Sequence, residues 1–413
     1  MLKNYLIIAL KVLNRRRFFT FISLFAVSFT LVMLIMATSL LDHVFGPQPP
    51  ESRLDRTLGV YTMMISGPEQ RSSGEPGYGF LNKYVRTLPD VELVSIFSEA
   101  KSVATYLKNE KLKLWVKQTD GNYWRILDFE FIEGSPFSEE DDHSGNRVAV
   151  VNASTAHKFF GAPSALGKSI DADGQSFRVV GVVRDVPSLR FTPFADIWVP
   201  IGTAQNDVYK SQLMGGFQAM ILARDKSDFP RIKADFAANL ERVDFSNMGV
   251  YNRMAGAPET FFESLSREAF SSGMQESHPV VLLSLIVGLM VMFMMLPTIN
   301  LININVSRIL ERASEIGVRK AFGASSISLI GQFVIENLIL TLIGGAIALV
   351  VSAIGLQVLS SSGFVPYAEF HINFRILGYS LLITTIFGLF AGVYPAWRMS
   401  RMHPVEALRG KVQ

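Results

Sequence analysis

Four stretches of the chain stay apolar over the roughly 20 residues that a helix needs to cross a hydrocarbon core: Phe18 to Leu40, Pro279 to Ile302, Ile327 to Leu359 and Phe374 to Trp397. Apart from an end residue such as Arg375, only the third carries a charge, at Glu336. Between the first and second the pattern changes. "NRVAVV" and "QSFRVVGVVRDV" read as Val-rich strands, "NASTAHKFF" and "SDFPRIKADFAANLERV" as helices, and Asp173-Gly174 as a hairpin turn. The Gly, Pro and Ser-rich stretch from Ser66 to Gly79 reads as a mobile loop, with a binding loop as the alternative. The architecture expected is an α-helical membrane protein with four transmembrane helices and a large α+β extracytoplasmic domain between helices 1 and 2.

Orientation follows from basic residues in the short flanking segments, which resist translocation. Lys3, Lys11, Arg15, Arg16 and Arg17 precede the first span; Arg308, Arg312, Arg319 and Lys320 lie between the second and third; Arg398, Arg401, Arg409 and Lys411 follow the fourth. The loop from Ser360 to Asn373 has no Lys or Arg. Both termini and the middle loop are therefore expected in the cytoplasm, and the segment from Asp42 to His278 outside. That segment holds 25 Lys and Arg against 31 Asp and Glu, so the net charge of +3 divides into −6 for it and +9 for the rest.

The divisions expected are a cytoplasmic amphipathic helix at 1–17, helix 1 at 18–41, the outer domain at 42–278 and helix 2 at 279–303. A cytoplasmic loop at 304–326, helix 3 at 327–359, a short outer loop at 360–373, helix 4 at 374–397 and a cytoplasmic tail at 398–413 complete the chain. The first apolar run exceeds the ~7 to 15 residues of a signal h-region, so it reads as an uncleaved anchor in the inner membrane.

Composition narrows the chemistry. An apolar fraction of 49% over 413 residues is too high for an ordinary soluble protein. With no cysteine there is no disulfide or thiol nucleophile, and the six histidines lack the close spacing of a metal site. The stretch "HKFFGAPSALGKSI" ends in Gly-Lys-Ser, but five residues separate Gly161 from Gly167 where a phosphate-binding P-loop has four. Its order, helix then hairpin, is also the reverse of strand then helix. Gly161 and Gly167 read as turn glycines. No G-x-S-x-G, H-E-x-x-H or glycine-rich dinucleotide loop is present. The acidic run from Ser138 to His143 lacks calcium-loop spacing and reads as a solvated loop. Weight moves from catalysis to mechanical work, and nucleic acid is not an expected partner.

The stretch "SRILERASEIGVRKAFGAS", Ser307 to Ser325, is too polar for lipid and too regular for a slack connector. Glu315 and Arg319 pair at i, i+4, Gly323 suits a left-handed C-cap, and Ser325 or Ser326 can cap the next helix. Phe322 remains apolar on a short helix and suits a partner's groove; the alternative is a helix resting on lipid headgroups.

"SEIGVRKAFGAS" followed by "QFVIENLILTLIGG" resembles the coupling segment and third span of MacB/FtsX/LolC-type permeases of ABC transporters, the type VII or mechanotransmission class. "AGVYPAWRMSRMHPVEALRG" resembles their C-terminal signature, and "VAVVNASTAHKFFGAPSALGKSI" with "FRVVGVVRDVP" their extracytoplasmic core domain. The resemblance implies a non-catalytic permease subunit without a fused ATPase domain. Its partners are a cytoplasmic ATPase dimer, which binds ATP and Mg, and a second permease copy or a paralogue; the permease itself holds no cofactor. A periplasmic or outer-membrane partner is a further candidate. ATP-driven closure then moves the outer domain in export or extraction of peptide, drug, lipid or lipoprotein, or in control of a cell-wall hydrolase. The resemblance also implies that Glu315, Gly317, Arg319, Lys320, Phe322 and Gly323 form the ATPase-docking helix and its cap.

Small and polar residues recur every three or four positions in two spans, letting helix backbones approach. In the fourth these are Ser380, Thr384, Gly388, Gly392 and Ala396; in the third, Asn337, Thr341, Gly345, Ala348, Ser352 and Gly355. Glu336 shares a face with Ser328 and Gln332, where an ionised carboxylate costs at least ~2.5 kcal/mol unless paired. It is either a coupling contact with a neighbouring helix or a partly hydrated structural residue. The competing function is a ligand-sensing membrane receptor whose outer domain binds a signal, but every interior segment is short for a signalling module.

Overall fold

Five consecutive residues, Val148–Asn152, are buried on both faces, and the main sheet is built outward from them. The structure, a computed structural model, describes residues 17–107, 110–161, 164–246, 248–270, 277–311, 318, 322, 325–368, 370, 377–379, 381, 382, 385, 386 and 389. One unit takes in the described residues of Met1–Asp42, Leu283–Ser362 and Glu369–Gln413; the other is His43–Leu282 with Gly363–Ala368.

The strands of the second unit are β1 (Thr57–Val60), β2 (Met63–Ser66), β3 (Arg71–Gly74), β4 (Val91–Ser98), β5 (Lys101–Leu107), β6 (Glu110–Thr119) and β7 (Phe131–Gly134). They continue with β8 (Val148–Asn152), β9 (Ser169–Ala172), β10 (Gln175–Val183), β11 (Ile197–Pro200), β12 (Phe217–Ala223) and β13 (Arg253–Ala255). Among the described residues, the α-helices of five or more residues are α1 (Arg17–Phe45), α2 (Glu139–His143), α3 (Ala153–Phe160), α4 (Phe229–Leu240), α5 (Phe261–Phe270), α6 (Pro279–Glu311) and α7 (Ser326–Ser361). The main sheet runs β1-β12-β4-β6-β11-β8-β10-β7, with β5 on β6 and β9 on β10, while β13-β2-β3 form a second, antiparallel sheet.

Strand residues alternate between faces, and this explains where the core sits. Val148 and Val150 enter one apolar cluster with Tyr123, Trp124 and Trp198, whereas Ala149 and Val151 enter another with Ile197, Val199 and Val179. Both faces of β8 are covered, so its sequence is an unbroken apolar run rather than an alternating one. Asn152 ends β8 and caps α3, its Oδ1 accepting from the Thr155 N–H at 2.8 Å. Gly161, at φ 67°, stops the helix in a conformation that favours glycine. The β9–β10 hairpin turns through Asp173 and Gly174, both at positive φ, as a two-residue hairpin loop requires. Helix before hairpin is thus the order found around Gly161 and Gly167.

Two local expectations are corrected. The acidic run 138–143 is a short helix, because Ser138 and Asp141 form a reciprocal capping box and its carboxylates sit favourably at a helix N-terminus. Four residues of the stretch expected to be a mobile loop, Arg71–Gly74, are β3, whose register on β2 runs from Met63–Gly74 to Ser66–Arg71. Helix α6 runs from Pro279 to Glu311.

In the first unit, two helical stretches among the described residues are long and apolar enough to cross a membrane, Arg17–Phe45 and Val334–Ser361. Leu31 and Ile35 of α1 pack with Ala348 of α7 and with Leu377. Small residues of α7 make this approach possible: a Cβ on Gly344 would lie 2.7 Å from Val27 Cγ1, and one on Gly345 2.7 Å from Leu381 Cδ2. Gly331 has open space at the same position. Gly344→Ala is therefore expected to cost about 1–3 kcal/mol of overpacking and to lower the thermal midpoint in detergent, while Gly331→Ala leaves it unchanged or higher. Equal midpoints for Gly344→Ala and wild type would contradict the packing.

Candidate functional site

Within the second unit, the loop 184–196, "RDVPSLRFTPFAD", touches three segments that precede or follow long helices in the chain. Pro187 and Pro193 restrict its backbone, and its carbonyls and side chains are spent on contacts far away in sequence. The first segment is the stretch just after α1. Arg190, 1% exposed in its side chain, donates to Glu51 Oε2 at 3.0 Å and to the carbonyls of Gly46 at 2.9 Å and Gln48 at 3.3 Å. The second is α5, which precedes α6: Phe191 packs on Phe261 with ring centroids 6.2 Å apart, and Phe261 and Phe262 both pack on Phe45. The third is the loop that follows α7. There the Ser188 N–H donates to the Pro366 carbonyl at 3.1 Å and the Tyr367 hydroxyl to Asp196 Oδ1 at 2.8 Å, with Phe194 near the Tyr367 ring.

Tyr367 lies at φ 61°, a left-handed conformation that costs a side-chain-bearing residue about 1–2 kcal/mol. Such strain persists where surroundings over-determine it, here through the bond to Asp196. Asp196 is itself fixed, since its Oδ2 accepts from the Trp115 N–H at 2.8 Å and its Oδ1 from Asn152 Nδ2 at 3.1 Å. The loop is thereby tied to β6 and β8 of the main sheet.

A fourth tie comes from beneath. Lys117 of β6 is fully buried, and its Nζ donates to the carbonyls of Phe191 at 2.8 Å and Thr192 at 2.5 Å. Tyr123 Oη adds a donor to the Thr192 carbonyl at 2.9 Å. Burial pushes the Lys117 ammonium down to about 7, against the opposing pull of Glu51, Glu99 and Glu75. Burial likewise raises Glu51, with Arg190 acting the other way, and raises the Tyr367 phenol, helped by the charge of Asp196. These contacts fasten the loop to the sheet and to its three neighbouring segments. Among the described residues no group of three or more His, Asp or Glu could hold a metal ion.

Of the residues singled out in sequence, Phe322 is 88% exposed in a turn, its N–H bonded to the Val318 carbonyl at 3.1 Å. Glu315, Gly317, Arg319, Lys320 and Gly323 lie outside the described residues, as do Gly388, Gly392 and the 1–16 segment. Glu336 is 2% exposed in α7 and Asn337 half-buried, and each has a partner. Gly345 meets Leu381 and Leu31. No local sequence pattern marks the junction around Arg190, because the partners of its guanidinium, Glu51, Gln48 and Gly46, are 139 to 144 positions away; the signal in the sequence was an arginine set among apolar and proline residues.

Residues 20–239 match the family of MacB-like periplasmic core domains, and residues 280–404 the FtsX-like permease C-terminal family. The ABC transporter permease YknZ of Bacillus subtilis is 23% identical over 332 residues, covering 80% of this chain and 79% of its own length. The macrolide export ATP-binding/permease protein MacB of Bdellovibrio bacteriovorus is 28% identical over 327 residues, covering 76% of this chain. The chain spans about half the length of that relative, 47%. Among solved structures, the extracellular domain of YknZ from Gram-positive bacteria overlaps 48% of this chain and 97% of its own at 17% identity and a TM-score of 0.36. The periplasmic region of MacB from Actinobacillus actinomycetemcomitans overlaps 44% of this chain and 86% of its own at 18% identity and a TM-score of 0.33.

Two outcomes test the junction. Arg190→Met, which strands a buried carboxylate, is expected to cost about 3–5 kcal/mol in denaturant unfolding, and adding Glu51→Gln should recover most of it; additive losses would show that the two are uncoupled. Lys117 gives a pH signature. Between about 7 and its ordinary value of 10.5 the unfolded chain binds a proton that the folded chain has lost, so stability rises with pH across that window and the full cost of the buried charge is borne below it. Lys117→Met should flatten that rise in the difference between variant and wild type; parallel curves would place the titration elsewhere.

Proposed function

The chain belongs to the MacB- and FtsX-type family of ABC transporter permeases, and on that premise we propose that it is the membrane subunit through which a separate cytoplasmic ATPase moves an extracytoplasmic domain. ATP and Mg belong to the ATPase dimer in this reading, and the chain itself holds no cofactor and performs no catalysis. A second permease copy or a paralogue completes the assembly. The output is export or extraction of peptide, drug, lipid or lipoprotein, or control of a cell-wall hydrolase.

The observation that carries this reading is the convergence of three helix-linked segments on the loop 184–196. A displacement of helices is lost in slack connectors but retained where the connectors are pinned by buried bonds, because packed interiors deform little. Here the stretch after α1, the α5 helix before α6 and the loop after α7 are each fastened to one loop, which Lys117 and Asp196 fasten to the sheet. The charge pattern supports the orientation: basic clusters flank the apolar stretches on one side, and the segment 42–278 is net acidic. Glu315, Gly317, Arg319, Lys320, Phe322 and Gly323 are the proposed ATPase-docking segment, and Phe322, a large exposed apolar side chain, is its anchor.

The test is purification of the tagged chain from native membranes with mass spectrometry of whatever accompanies it. An ABC-type ATPase is expected in the eluate, with ATP hydrolysis. Phe322→Asp should weaken its association by about thirtyfold, as loss of an aromatic anchor worth about 2 kcal/mol implies. Retention at the wild-type level by Phe322→Asp would remove that residue from the docking site; absence of any ATPase from the wild-type eluate would remove the coupling reading itself.

A further inference from the structure

A cleft of about 910 Å³ opens in the second unit, far in sequence from the junction loop and lined by the small sheet, the end of α4, the 252–257 segment and α5. Its size falls in the range of small-molecule sites, about 300–1,000 Å³. The register of the small sheet sets its chemistry. Ser66 stands opposite both Arg253 and Arg71, so the three share one face in one row; Met64, two residues back, stands opposite Ala255 on the same face. A cationic row therefore lies beside an apolar one. Leu240 and Phe245 continue the apolar wall.

Arg267 of α5 also lines the cleft, yet its side chain is only 7% exposed. Its Nη2 lies 2.7 Å from Glu259 Oε2, but Oε2 has no aligned donor, so the contact is a bent ion pair rather than a well-formed hydrogen bond. The Glu259 backbone is bonded in both directions to Gly59, at 2.7 and 2.9 Å, which fixes where its side chain starts. A guanidinium has five N–H donors in a fixed fork that matches carboxylate and phosphate. Among the described residues the ion-pair partner of Arg267 is Glu259, and Arg267 lines the cleft together with Arg253 and Arg71.

We propose that this cleft binds a single-tailed anionic amphiphile, its carboxylate or phosphate held by Arg267 with Arg253 and Arg71 nearby and its apolar tail lying over Met64, Leu240 and Phe245. Three arginines against Glu241 and Glu259 leave the lining net positive, which favours an anionic head over a neutral or cationic one. Methionine suits a tail of variable shape, since its unbranched thioether adapts to its contents. The inference stands apart from ATP coupling and concerns binding alone.

The experiment is a titration of the full chain in lipid nanodiscs carrying 13C-methyl methionine, with the Met64 resonance identified through Met64→Leu. Octyl phosphate and octanoate are expected to shift that resonance saturably, with octanol and inorganic phosphate at least about tenfold weaker. Replacing both members of the pair, Arg267→Gln with Glu259→Gln, removes the charge without stranding a carboxylate and should weaken octyl phosphate at least about tenfold. Arg71→Gln with Arg253→Gln changes only exposed side chains and should weaken it by a smaller factor. The proposal is overturned if neither amphiphile saturates, if octanol or inorganic phosphate binds as tightly as octyl phosphate, if an acidic peptide binds where the amphiphiles do not, or if both double variants bind like wild type. No ATPase is present, so failure here leaves the coupling reading untouched, and failure to recover an ATPase leaves this one untouched.

Discussion

The guanidinium of Arg190, almost wholly buried, is held by one carboxylate and two backbone carbonyls that all belong to the six residues 46–51 after the first long helix. A charge can be kept out of water only if its donors are met, and the acceptors must then hold still. That requirement turns a linker into a fixed part of the domain. The loop that carries Arg190 inherits the same rigidity and passes it to Phe191, Thr192 and Asp196, through which the other two connections are made.

Buried ionic groups of this kind are poor sources of net stability, since desolvation cancels much of their attraction. Their worth lies in geometry. Lys117 could be replaced by an apolar residue of similar length at little cost in packing, but such a residue would not reach for the two successive carbonyls of Phe191 and Thr192. Tyr367 makes the same point with backbone strain: a left-handed tyrosine is tolerated because its hydroxyl and ring are both engaged. The second unit thus gives up stability at one place, where the segments next to the long helices meet, and recovers it in the apolar layers on the two faces of β8 and β12.

Membership of the permease family accounts for the division of labour along the chain. The match to the MacB-like periplasmic core takes in the region from α1 through α4, and the FtsX-like match begins with α6. The junction residues fall on either side of that division, with Glu51, Lys117 and Arg190 in the first family segment, Tyr367 in the second and Phe261 between them.

Much of the scaffold was determined by residues near one another in sequence. Apolar runs of helical length marked α1 and α7, Val-rich runs marked β8 and β10, Asp173-Gly174 marked the hairpin, and Asn152 marked the start of α3, because each depends on hydrophobic period or on backbone preferences of single residues. The family was legible too, in the combination of short motifs at 148–187, 314–345 and 391–410. The order of the ten-stranded sheet, the burial of Lys117, the Arg190–Glu51 pair and the cleft beside Arg267 were settled only by tertiary structure. The physical reason is that a buried charge is defined by partners up to 144 positions away, as Gly46 is from Arg190, and an isolated lysine or arginine in a sequence reads as surface until the chain folds around it.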